Sequence, residues 1–135
     1  MALCLPLPSV ARDNPQLQAA KVLYRQGAYF KAARYAFNSI KGDSEKERSD
    51  AYSWITLGLS RAGLHQAASY FFIRTLQMNN RKAIRRVLPE LEVLILTVGA
   101  DLLRNYLVRH TKLSDYDPES RDAFLYVLGK EALLA

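Results

Sequence analysis

From residue 15 onward, apolar residues recur at intervals of three and four, the period of an α-helix with one packed face. Asn14 is placed to cap a first helix with Pro15 at its first position, and Ala19, Ala20 and Leu23 form a small-residue face that ends at Gly27. A second run, 28–40, puts Ala32, Ala33, Ala36, Phe37 and Ile40 on one side and breaks at Lys41-Gly42-Asp43. The third run, 44–62, has Tyr52, Ile55, Thr56 and Leu59 as its packing face. Ser44 followed by Glu47 has the spacing of a capping box, and Ser49 is a second candidate cap. Gly63 closes that run. The fourth, 64–78, turns Ala67, Ala68, Phe71, Phe72 and Leu76 inward and stops at Asn79-Asn80.

The third pair is less regular. Pro89 lies within 81–98, so either one helix ends near Leu88 and another begins, or a single helix kinks there. Gly99 then precedes a helix over 100–110. The segment 111–120 reads as a loop, and Asp117-Pro118 starts a last helix that reaches the end without a capping signal. That end creates the expectation of docking or continuation. No stretch alternates with period two, so no sheet is expected.

Gly27, Gly63 and Gly99 stand 36 residues apart. Helix pairs repeated at such a period form stacked arrays, because one pair cannot bury its own apolar face. The expected repeats are 14–42, 46–79 and 81–111, with a terminal helix over 118–134. All of this lies in a single domain covering 12–135.

The residues also resemble the tetratricopeptide repeat (TPR) family. Ala19-Ala20, Leu23, Gly27, Tyr29, Ala32 and Tyr35 supply its pattern in the first repeat, and Ile55-Thr56, Leu59, Gly63, Ala68, Phe71 and Phe72 in the second. "GAYFKAA" (27–33) is the most specific piece. The period is 36 rather than the family's 34, the closing proline is missing, and Arg104 replaces a small residue in the third pair. Trp54, Leu57 and Gly58 also match the family's Trp…Leu-Gly spacing, but two residues too near Gly63. The resemblance implies an all-α, right-handed α-solenoid of about three antiparallel helix pairs plus a C-terminal helix. It also implies a protein-interaction module whose first helices line a groove for a peptide or helix.

Aligning the repeats on their glycines gives the rows Gln18/Trp54/Glu90, Lys21/Leu57/Val93 and Arg25/Arg61/Thr97. The expected groove residues are therefore Lys21, Arg25, Trp54, Leu57 and Arg61. Trp54, Leu57 and Arg61 share one helix face, and Trp and Arg concentrate in interface hot spots. The Leu-Gly anchor instead places Trp54 in the core, so both placements stay open.

The net charge of +6 raises the question of an acidic partner. Four cations, Arg81, Lys82, Arg85 and Arg86, sit in "RKAIRR", a candidate patch for an anion or acidic partner. The rest of the chain holds 15 basic against 13 acidic residues. An RNA-binding helical repeat is the rival reading, favoured by the basicity and by the turn Arg61-Ala62-Gly63. It is opposed by the absence of a basic stripe. A third reading is a structural segment of a longer array.

Little in the chain points to catalysis. His65 and His110 lack carboxylate or thiol neighbours at ligand spacing, Glu90 and Glu92 fall on different helix faces, and no phosphate loop or nucleophile elbow is present. The expectation is no enzyme, no cofactor and no metal. Cys4 is the single cysteine, so no internal disulfide can form. The stretch "ALCLPLPSVA" (2–11) looks like the back half of a secretory signal with small residues Ser9 and Ala11 before a cleavage site. It gives an expectation of export to a bacterial periplasm. The alternative is an apolar arm on a cytoplasmic protein.

Overall fold

The computed structural model describes residues 14–41 and 44–134. The expected signal segment, 1–11, lies outside them. The described chain is all-helical, with α1 Pro15–Arg25, α2 Tyr29–Asn38, α3 Glu45–Arg61, α4 His65–Gln77, α5 Arg81–Val87, α6 Leu91–Val98, α7 Asp101–His110 and α8 Pro118–Leu134. No strand occurs among the described residues.

Local chemistry sets most of these boundaries. The Gln16 N–H donates to Asn14 Oδ1 at 2.8 Å, capping α1 ahead of Pro15. Of the two candidate caps for α3, Ser44 serves: its Oγ accepts from the Glu47 N–H at 3.4 Å. Ser49 lies inside the helix, where its hydroxyl donates to the Lys46 carbonyl. Asn79 adopts φ 54° and ends α4, and Asn80 Oδ1 accepts from the Ala83 N–H at 3.1 Å to cap α5. Pro89 sits in a 3₁₀ turn, Leu88–Glu90, that separates α5 from α6.

The first two hairpin turns are the same turn. Gly27 and Gly63 have φ 83° and 84°. In the first, the Ala28 N–H donates to the Leu23 carbonyl at 2.9 Å and the Gly27 N–H to the Tyr24 carbonyl at 3.0 Å. In the second, Leu64 and Gly63 donate in the same way to Leu59 and Ser60 at 2.9 and 3.1 Å. This is the Schellman pattern, which needs a left-handed residue after the helix. Gly99 differs: with φ 103° and ψ 157° it leads α6 into α7 through another geometry.

Packing follows chain order at first. α2 lies against both α1 and α3, and α4 against α3; α1 and α5 both flank α3, while α4 meets α5 and α6, and α6 meets α8. One apolar core runs through this arrangement from Leu17 and Ala20 through Ile55, Phe72 and Leu91 to Phe124. The α2–α3 joint is the tightest. A Cβ on Gly58 would stand 2.7 Å from the Tyr29 carbonyl oxygen and 3.0 Å from Ala33 Cβ. Ala33, Ala36 and Phe72 are buried as expected, whereas Phe37 is 57 % exposed and Ala67 is exposed. Each adjoins a fully buried alanine, Ala36 and Ala68, one position round the helix.

Asp117 caps α8, accepting from the Ser120 N–H at 2.9 Å, and receives the Arg85 guanidinium at 2.9 Å. Hydrogen bonds from Ser120, side chain and backbone, and from Arg85 hold its carboxyl below the usual carboxylate range. A carboxyl lowered in the folded state adds stability above the ordinary carboxylate value and loses it as pH falls through that value toward the folded one. Asp117→Asn keeps a competent cap but carries no charge. Urea unfolding is therefore expected to show wild type ahead of Asp117→Asn at pH 7, with the gap closing as pH falls below the ordinary carboxylate range. A constant gap would show that the charge on Asp117 does not stabilise the fold.

Candidate interaction surface

Lys21 of α1, Trp54 of α3 and Arg86 of α5 meet where α1 and α5 flank α3. Trp54 occupies the middle of this face. Its indole packs against the core, yet part of it remains at the surface. Lys21 Nζ lies 6.0 Å from the ring centroid and Arg86 Cζ 5.0 Å. Tyr24 meets the indole edge-on at 5.4 Å and stands 5.1 Å from Tyr29. A cation over an aromatic face is attracted by the ring quadrupole, so three helices share one aromatic anchor.

Ion pairs brace both sides of Trp54. Arg86 Nη1 donates to Asp50 Oδ1 at 3.2 Å and to Ser53 Oγ at 2.8 Å. Arg61 Nε donates to Glu90 Oε1 at 3.0 Å, and the Ser60 hydroxyl donates to Glu90 Oε2 at 3.3 Å. Glu90 is only 5 % exposed, so its charge needs these donors. Burial pushes the Tyr24 phenol above its ordinary range, against the pull of Arg61.

The five groove residues from the sequence are thus distributed unequally. Lys21 and Trp54 come together, Arg25 is exposed on the same helix as Lys21, and Arg61 is half-exposed but held by Glu90. Leu57 is buried, 7 % exposed, and offers little surface to a partner. The four cations of "RKAIRR" separate as well. Arg85 is committed to Asp117 and Arg86 to Asp50, while Arg81 and Lys82 are exposed. Two of the four therefore serve the fold.

Sequence reasoning missed Tyr24 and the double role of Arg86. The signals were present. Tyr24 follows Lys21 by three residues on α1 and shares its face. Asp50 and Arg86 are 36 residues apart, one full repeat, so stacking sets them opposite each other.

Among the described residues no group of three or more His, Cys, Asp or Glu could hold a metal, and no helix is long and apolar enough to cross a membrane. No protein-family model, curated protein or solved structure matches the chain.

Proposed function

We propose that this chain is a TPR-like protein-interaction module whose α1/α3/α5 face receives a peptide or helix of another protein. The observation that carries the reading is the setting of Trp54. It is a partly exposed indole held between Lys21 on α1 and Arg86 on α5 and flanked by Tyr24. Rigid aromatic and arginine side chains of this kind supply contact area at low entropic cost. The two matching Schellman turns and the close approach of Gly58 to Ala33 support the helical-repeat architecture. The internal commitment of Arg85 and Arg86 weakens the RNA reading, which needs cations available to phosphate.

Trp54 is the sole tryptophan, so its emission reports on this face alone. Peptides selected on the immobilised protein from a random display library are expected to shift that emission on binding. They should lose affinity by about tenfold or more in the double variant Lys21→Glu/Arg25→Glu, with the melting temperature retained. Peptides that bind the double variant as tightly as wild type would place recognition elsewhere. A shift produced by poly(U) at 0.15 M salt and by no selected peptide would support the RNA reading instead.

A further inference from the structure

A second surface lies across α2, α3 and α4. Phe30, Ala33, Arg34, Phe37 and Asn38 of α2, Ile55 and Leu59 of α3, and Phe71 of α4 line an open groove of about 230 Å³. Its floor is apolar and buried at Ile55 and Leu59; Phe30 and Phe37 are more than half exposed. Phe37 meets Phe71 edge-on at 6.3 Å. An apolar cavity of about 150 Å³ accommodates benzene, so the groove has room for a leucine or phenylalanine side chain.

The next repeat has a counterpart of this groove with far less free space. Moving Ala33, Phe37, Ile55 and Leu59 forward by 36 gives Ser69, Ile73, Leu91 and Ile95, and all four line a crevice between α4 and α6. That crevice retains only about 20 Å³, and Leu103 of α7, itself buried, lines it. The residue one repeat before Leu103 is Ala67, which is exposed and too short to do the same. At that position α4 therefore offers the first crevice no side chain comparable to Leu103, and the groove is lined from α4 by Phe71.

We infer that this groove docks a partner protein segment carrying one leucine or phenylalanine next to an acidic residue. The aliphatic or aromatic side chain takes the place that Leu103 holds one repeat later. The acidic residue pairs with Arg34, the one charged residue among the lining. This surface is separate from the Trp54 face, and its occupant is set by shape and by a single cation.

The test uses an acetylated, amidated peptide with one phenylalanine between two glutamates on each side, and a control with lysines in place of the glutamates. Backbone amide shifts of the full chain are followed by NMR. The glutamate peptide is expected to produce saturable shifts in α2 and around Phe71, and the lysine peptide to bind about tenfold more weakly. Ala67→Leu supplies a leucine at the position equivalent to Leu103 and is expected to weaken the glutamate peptide about fivefold or more with the melting temperature unchanged or higher. Arg34→Glu is expected to reverse the preference between the two peptides. Equal binding of both peptides, unaltered affinity in Ala67→Leu and Arg34→Glu, or shifts confined to α1, α3 and α5 would each overturn the inference. So would amide shifts around Phe30, Phe37 and Phe71 that depend on protein concentration alone, since a second copy would then fill the groove.

Discussion

Phe72→Ala is expected to cost about 3–5 kcal/mol of stability, a large share of the 5–15 kcal/mol that typically holds a domain together. Phe72 of α4 is 2 % exposed and lines one crevice together with Leu91, Leu94 and Ile95 of α6 and Leu103 of α7. The crevice there has almost no spare volume, so neighbouring side chains cannot collapse into the gap without moving α6 or α7. For a chain of this length the melting temperature should fall by roughly 10–20 °C. Phe30→Ala provides the contrast. The same atoms are removed from a side chain that is 51 % exposed, and the expected loss is within about 1 kcal/mol. Equal shifts in urea midpoint for the two variants would mean that Phe72 does not join α4 to the helices after it.

Gly58→Ala is expected to cost about 2 kcal/mol net, although alanine is the better helix former. Propensity alone would favour the variant by up to about 1 kcal/mol. Against it stands the α2 backbone: the new methyl would lie 2.7 Å from the Tyr29 carbonyl oxygen and 3.0 Å from Ala33 Cβ. Neither atom is the end of a flexible side chain, so α2 must separate from α3 as a body. Gly129→Ala isolates the propensity term, because a Cβ there meets nothing within 4 Å. Chemical denaturation should therefore show opposite signs at the two sites. A stabilised Gly58→Ala variant would show that α2 and α3 are not in close approach.

Both predictions bear on how much was legible beforehand. Phe72 lies in the apolar pattern of α4, and Gly58 in the Leu-Gly pair of the family resemblance. The helix ends were legible in the same way. Asn14, Ser44 and Asp117 cap helices with their own side chains, and Gly27 and Gly63 take a conformation other residues avoid. Such features depend on a few neighbouring residues and survive any tertiary context that keeps the helices.

The surface was legible only in outline. Aligning the glycines put Trp54 in a row with Glu90, but the structure pairs Glu90 with Arg61 and sets Arg86 over the indole. The 3₁₀ turn at Pro89 divides the first helix of the third pair, so Glu90 lies between α5 and α6 where its counterpart Trp54 lies inside the unbroken α3. Leu57 shares a helix face with Trp54 and Arg61 yet is buried. A wheel gives the direction of a side chain from its own axis, and nothing of the tilt of the neighbour that covers it.

By itself, then, the sequence determined the helical class, the order and approximate limits of the helices, the turn chemistry at Gly27 and Gly63, and the caps. Each follows from interactions spanning no more than about four residues or from periodicity along one axis. Tertiary structure alone decided three things: that Trp54 is shared between core and surface, that Arg85 and Arg86 hold Asp117 and Asp50, and that the crevice beside Phe37 stays open while its counterpart is closed. Those outcomes depend on distances and tilts between helices, which exist only once the helices are stacked.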